Sequence, residues 1–390
     1  MPLALPDLSA LFGGTYAGRR VLVTGHTGFK GSWLTLWLRA MGADVHAFAL
    51  PPATVPAHAT LLGEPRGARH VDLRDAAAVR EAVRDAAPEL ILHLGAQALV
   101  RESYGLPVPT FDTNVMGLVH LLEAVRLTPS VRALVVVTSD KCYRVTPDAP
   151  PFTEDDPLGG HDPYSASKAC AELVTACWRD SFFAGHVAIA SARAGNVIGG
   201  GDWSADRLVP DLVRAAASGR AVAIRSPHAV RPWQHVLDPL AGYLLLGARL
   251  LEGDETAEGA WNFGPAPEGH VTVDELVTGL QLAWPAVRTV RDEGTHPHET
   301  HVLQLDCRRA ERELGWRPVW DLATSIQHTA SWYRDVYERG ELRTIDDLVA
   351  FVRDAARAGA PWTRARSGAT ATPQPLFALP TMPPSDAEAA

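Results

Sequence analysis

Val21-Leu22-Val23 runs into Thr24-Gly25-His26-Thr27-Gly28-Phe29-Lys30-Gly31, and a helix-forming stretch follows from about Lys30 to Met41. No other segment restricts the fold as much. An apolar run without alternation, closed by glycine, is the pattern of a parallel strand buried on both faces. Glycines at 25, 28 and 31 allow a tight turn from strand to helix. They also let backbone amides come close to a pyrophosphate, whose charge the helix N-terminus favours. The spacing predicts a dinucleotide site at the start of the domain, with Gly25, Thr27, Gly28, Phe29, Lys30 and Gly31 as its contacts.

The alternation continues. Val45–Leu50, Arg69–Asp72, Leu90–Leu94, Val131–Thr138 and Val187–Ala192 read as strands, with helices over Asp75–Ala86, Thr110–Arg126 and Pro163–Phe183. This order predicts an α/β fold, a Rossmann-type doubly wound parallel sheet with right-handed crossovers. The second half is more mixed. Arg207–Ala217 and Thr272–Ala283 look helical, and Ala221–Ile224 and Trp261–Phe263 look like short strands. We read it as a smaller α+β substrate-binding lobe over the carboxyl edge of the sheet. The expected division is a dinucleotide-binding domain over 18–197, to which about 230–265 returns, and a lobe over 198–229 and 266–352. A disordered tail rich in Ala, Pro, Thr and Ser is expected over 359–390.

Net charge of −9 argues against a nucleic-acid partner, and anionic ligands then need local donors. The apolar stretch around Leu244–Leu246 is too short to span a bilayer, and residues 1–18 lack a signal-peptide pattern. Cys142, Cys170, Cys177 and Cys307 form neither a CxxC pair nor a zinc spacing, which fits reduced thiols in a cytoplasmic protein. His296, His298 and His301 have only Glu299 as an acid within their span, so no metal site is expected.

Thr138-Ser139-Asp140-Lys141 closes a predicted strand, and Tyr164 and Lys168, four apart, share one helix face. A strand end that delivers Ser139 beside the tyrosine is equipment for taking a proton from a hydroxyl while hydride leaves the same carbon. Asp140 and Lys141 add a second acid/base pair, which oxidation alone does not need and dehydration does. Asp72, with Leu73 beside it, follows the third strand, where it either meets an adenine amino group or caps a helix. The second strand ends Ala49-Leu50-Pro51, with neither the acid that suits NAD nor the base that suits NADP.

These motifs, with Ala192–Trp203, Arg231–Val236, Trp261–Pro265 and His296–Glu299, resemble the extended short-chain dehydrogenase/reductase superfamily. Within it the likeness is to the nucleotide-sugar dehydratases, over nearly the whole chain from Val21 to Trp332. The resemblance implies NAD as cofactor and a nucleotide sugar, CDP-glucose, as substrate. It also implies a cycle in which hydride leaves C4, water leaves across C5 and C6, and hydride returns to C6. In that cycle Tyr164 takes the 4-hydroxyl proton, Lys168 lowers the tyrosine pKa and holds the cofactor ribose, and Ser139 orients the hydroxyl. Asp140 is then the acid for the 6-hydroxyl and Lys141 acts at C5, which requires it to be neutral part of the time. The dTDP-glucose dehydratases carry Asp-Glu at this point, and Asp-Lys is the pattern of the CDP-glucose enzymes. The likeness also assigns Asn196 to the nucleotide diphosphate, and Arg231 and Arg207 are guanidinium candidates for it. Within the same frame, an epimerase or a dehydratase of another NDP-hexose is the alternative. Thr110–Arg126 and Pro163–Phe183 are apolar on more than one face, and relatives pair such helices into a four-helix bundle, so a homodimer or homotetramer is expected.

Overall fold

Seven parallel strands carry the molecule, whose computed structural model describes residues 7–146, 149–292 and 303–365. The first six are β1 (Arg20–Thr24), β2 (Asp44–Ala49), β3 (Gly67–His70), β4 (Leu90–His93), β5 (Ala133–Val137) and β6 (Ala188–Ala194). Short strands β7 (Val197–Ile198), β8 (Ala221–Ile224), β9 (Val230–Pro232) and β10 (Gln234–His235) follow, and β11 (Gly259–Phe263) returns to the main sheet beside β6. The sheet order is β3-β2-β1-β4-β5-β6-β11. The chain winds outward from β1 to β3 and then crosses to β4 on the other side of β1. At that reversal the carboxyl ends of β1 and β4 open a crevice, which is where sheets of this kind bind ligands.

The helices are α1 (Phe29–Ala40), α2 (His58–Leu62), α3 (Ala76–Ala86), α4 (Val100–Gly105), α5 (Pro107–Phe111), α6 (Gly117–Arg126), α7 (Pro163–Trp178), α8 (Leu208–Ala217), α9 (Leu237–Leu251), α10 (Val273–Ala283), α11 (Leu322–Arg339) and α12 (Thr344–Arg357). Side chains alternate across each strand, so one sheet yields two cores. Leu22, Ile91, Leu134 and Ile189 pack against α3, α6 and α7. Val21, Val23, Leu92 and Val135 face the opposite way, toward Trp33 and Trp37 of α1 and Leu240 and Leu244 of α9. Four departures from the sequence reading stand out. α9 was not expected as a helix, nor were α11 and α12. The rod predicted over Thr110–Arg126 is α5, a π-helical turn over Asp112–Met116, and α6.

The remaining segments pair in twos. β8 runs parallel with β13 (Arg288–Arg291), β9 antiparallel with β12 (His270–Thr272), and β7 parallel with β10. After α12 a short turn buries Trp362, which stacks on Phe12 at 5.2 Å between ring centres. The composition that suggested a tail from Gly359 is therefore packed through Trp362, and 366–390 lie outside the described residues. So do His296, His298 and His301.

Candidate active site

The glycine turn has two different reasons for its glycines. Gly25 has φ +76°, and a Cβ there would fall 2.7 Å from the Gly95 nitrogen. At Gly31 a Cβ would lie 2.1 Å from the Gly25 carbonyl oxygen, so the turn's own backbone forbids a side chain. Gly28 is different. A Cβ there would meet only the Gly25 oxygen, at an ordinary 3.4 Å. Nothing in the chain itself demands glycine at 28, and a ligand passing close to the backbone would. Gly28 is also the N-cap of α1 without a side-chain cap, which leaves the first N–H groups of that helix for a ligand. Thr27 Oγ1 donates to the Leu50 carbonyl at 2.9 Å and ties the turn to the end of β2.

On the far side of the turn, Asp72 holds Arg74 through both carboxylate oxygens and accepts from the Arg74 amide at 2.9 Å. It does not cap α3. Asp75 does, accepting from the amides of Ala77 and Ala78 at 3.0 Å each. Leu73 is buried between Gly95 and Gly117, and a Cβ on either glycine would collide with it.

The catalytic candidates meet where β5 ends. Ser139 caps a single turn over Asp140–Cys142, and its Oγ accepts from the Lys141 amide at 3.2 Å. The same hydroxyl donates to Asp140 Oδ1 at 3.0 Å and lies near enough to the Tyr164 phenol to favour its ionised form. Tyr164 sits in the first turn of α7, where Pro163 fixes the entry and Asp162 caps, accepting from the Ser165 amide at 2.9 Å. One turn on, Lys168 is buried and donates to the Val137 carbonyl at 3.2 Å. The sequence-predicted Ser139, Asp140, Tyr164 and Lys168 thus converge, with Lys141 half-buried beside them. Asp140 is buried against Gly195. A Cβ on Gly195 would come 2.9 Å from Asp140 Oδ2, and that oxygen has no partner among the described residues.

Charge in this pocket is dominated by burial. It pushes the Tyr164 phenol up to about 12, while the Ser139 hydroxyl and the Arg207 guanidinium pull the other way. Arg207 is thus one cation close enough to act on Tyr164, and Lys168 lies one helical turn away on α7. Burial brings Lys168 down to about 8 against the opposing charge of Glu172. It brings Lys30 down to about 7, where Arg207 and Lys168 add to the effect and Asp140 opposes it. Lys30 is therefore at the reacting end of the crevice. Its Nζ donates to the Tyr243 hydroxyl at 3.3 Å, and burial followed by the charges of Tyr164 and Asp140 raises that phenol.

Of the substrate-side candidates, Asn196 follows β6, and its side-chain amide has no hydrogen-bond partner among the described residues. Arg207 stands before α8 and reaches Asp202 at 3.4 Å. Arg231, on β9, donates to the Val230 carbonyl at 2.9 Å. Two residues were missed. Glu172 is four beyond Lys168, so its spacing was a usable signal. Tyr243 lies in a helix apolar all round and gave none. Among the described residues no group of three His, Cys, Asp or Glu side chains is arranged to hold a metal.

Comparison with known proteins gives relatives among nucleotide-sugar enzymes. The CDP-glucose 4,6-dehydratase of Salmonella typhimurium is 46% identical over 336 residues, covering 84% of this chain and 93% of the relative. The dTDP-glucose 4,6-dehydratase of Streptomyces venezuelae, solved with NAD bound, superimposes with a TM-score of 0.68 at 28% identity, covering 81% of this chain and 97% of that one. The UDP-glucose 4-epimerase of Thermus thermophilus, also in complex with NAD, gives a TM-score of 0.69 at 27% identity, over 80% and 98%. A family model described as GDP-mannose 4,6 dehydratase matches residues 22–329, from the first strand through the glycine turn and the Ser139 and Tyr164 motifs to α11, and the chain belongs to that family.

Proposed function

We propose that this chain is a nucleotide-sugar 4,6-dehydratase that converts CDP-glucose to its 4-keto-6-deoxy product and water, with NAD as cofactor. The observation that carries the reading is the second acid/base pair. Asp140 and Lys141 are fixed by Ser139 beside Tyr164, a pairing that oxidation alone leaves without a task. The 46% identical relative supports the same chemistry and the same base.

The residues fit the dinucleotide: Gly25, Thr27, Gly28, Phe29 and Gly31 would hold its pyrophosphate, Lys30 its reacting end, Asp72 and Leu73 its adenine, and Tyr164 and Lys168 its ribose. Bound NAD supplies a reversible store for the hydride that moves from C4 to C6. The chain supplies the proton steps. Tyr164 takes the 4-hydroxyl proton, helped by Ser139 and by the charges of Lys168 and Arg207. Asp140 delivers a proton to the 6-hydroxyl from its unpartnered Oδ2, and Lys141 removes the C5 hydrogen. Asn196, Arg207 and Arg231 would hold the substrate diphosphate. We assign 18–197 with 230–265 to the dinucleotide domain and the remainder to 352 to the substrate lobe. Four unpaired cysteines suit a cytoplasmic setting.

The test is incubation with NAD and, separately, CDP-, dTDP-, UDP- and GDP-glucose, followed by product mass. Loss of one water from CDP-glucose alone is the expected result. Loss from another nucleotide keeps the chemistry and corrects the base, whereas a sugar isomer of unchanged mass makes the protein an epimerase.

A further inference from the structure

Beneath the catalytic cluster lies a buried carboxylate to which the proposed chemistry gives no task. Glu172 is 4% exposed and sits on α7 one turn beyond Lys168. Three side chains from two strands converge on it. From the end of β5 the Thr138 hydroxyl donates to Oε1, and from β6 the Ser191 hydroxyl and the Arg193 guanidinium donate to Oε2 at 2.6 and 2.8 Å. Arg193 is itself held in place, donating to the Tyr143 hydroxyl at 2.7 Å and the Glu154 carbonyl at 3.0 Å. Thr138 immediately precedes Ser139, so one carboxylate grips both the strand end that presents Ser139 and the helix that presents Tyr164 and Lys168.

We propose that Glu172 is a positioning residue that fixes Ser139 through Thr138 and holds the charge of Lys168 in place. A purely architectural role would be served by apolar residues of the same volume, since a buried ion pair is weak evidence for stability. The position points elsewhere. Glu172 is one helical turn from Lys168, within reach for its negative charge to favour the ammonium against burial. Cys142, Lys30 and His93 also act on or feel Lys168, Tyr164 lies one turn away on α7, and Arg193 faces Glu172 from β6 at 2.8 Å. Lys30 and His93 lose their own charge to burial near or below neutrality.

The inference rests on the catalytic reading of Lys168, and its test separates the two. Affinity for NADH, read by fluorescence against pH, needs no sugar turnover, and kcat/KM on CDP-glucose is measured beside it. Glu172→Gln keeps the shape and removes the charge. Its loss of NADH affinity and of kcat/KM at alkaline pH is expected to begin about one pH unit lower than in the parent protein, a tenfold loss at a fixed pH within that limb. Thr138→Val removes the grip on Ser139 and leaves the charge. It is expected to lower kcat/KM several-fold with the alkaline limb unmoved. Glu172→Asp, which restores the charge, is expected to restore the limb. An unmoved limb in Glu172→Gln overturns the charge role, and full activity in Thr138→Val overturns the grip on Ser139. Should Glu172→Gln not fold, Glu172→Met, which also removes the charge, carries the charge arm, and Thr138→Val carries the other. Absence of CDP-glucose turnover in the parent protein, with NADH binding intact, would count against the dehydratase reading and leave the NADH arm standing.

Discussion

Asp140 has two oxygens with different surroundings, and its proposed role follows from that difference. Oδ1 receives the Ser139 hydroxyl at 3.0 Å, while Oδ2 rests unpartnered against Gly195. A buried carboxyl oxygen without a partner is costly, and it is kept where a substrate group completes it. Lys141 is anchored through its backbone amide, which leaves its side chain free to work at a second atom. The two residues therefore separate by experiment. Asp140→Asn is expected to lower kcat by about 10²- to 10⁴-fold, the usual worth of a positioned acid, while exchange of the C5 hydrogen with deuterated solvent continues. Lys141→Met is expected to lose that exchange as well. Full C5 exchange in Lys141→Met would show that another group is the base. At this scale the sequence was informative because Ser139, Asp140, Tyr164 and Lys168 are close in sequence or at helical spacing. Gly195 was not legible as a partner of Asp140. Their contact depends on two strand ends meeting, and no local pattern records that.

Helices differ in how clearly their sequence announces them. Those with one apolar face, such as α3 and α10, were read within a residue or two of their ends. α9 was not. All but one of its fifteen residues are buried, so no polar face marks the period, and Pro239 and Gly242 argued locally against a helix. It forms because it is buried on the sheet behind β4, β5 and β6, where tertiary packing outweighs propensity. α5, α6 and α7 carry the opposite message. α6 and α7 fill the core with their inner faces, yet Val108 and Phe111 of α5, Met116 of the turn that follows it and Leu173 of α7 stay exposed, with Leu173 at 60%. Neighbouring helices with a shared apolar outer surface are the mark of an interface. We expect this surface to join two copies into a four-helix bundle, and Leu173→Glu to weaken that association at least about tenfold without unfolding the subunit. Sedimentation velocity at micromolar protein checks it. A monomeric parent protein would refute the proposal.

Over the whole molecule, a buried cluster of aromatic and histidine side chains ties α1 and α2 to α11 and α12, and it bears on how stability responds to acid. His58 links three separate regions. Its Nδ1 pairs with Ser32 Oγ of α1 at 2.8 Å, its Nε2 with Thr344 Oγ1 of α12 at 3.0 Å, and its ring packs on Trp33 and Trp332. Burial holds its pKa down to about 3. His93 is brought to about 3 in the same way, and His235 is also lowered. A histidine of this kind is neutral in the folded chain but takes up a proton near its ordinary pKa of 6.5 once unfolded. The unfolded state therefore binds more protons over that interval, and folding stability falls as pH drops from about 6.5 toward 3. Between about pH 6.5 and about pH 5.5 each such histidine contributes a loss of about 1 kcal/mol. Asp238 acts in the opposite sense. Burial raises it to about 8, so its share of stability is lost as pH rises from 3.8 through 8. The net pH dependence mixes these groups, and a difference measurement isolates one. Urea unfolding of the parent protein and of His58→Gln, each at both pH values, is expected to give a pH-dependent loss about 1 kcal/mol smaller in the variant. Equal losses in the two proteins would mean that His58 takes up its proton in the folded state over the same interval, and that the contacts between α1 and α12 open enough to let water reach the ring.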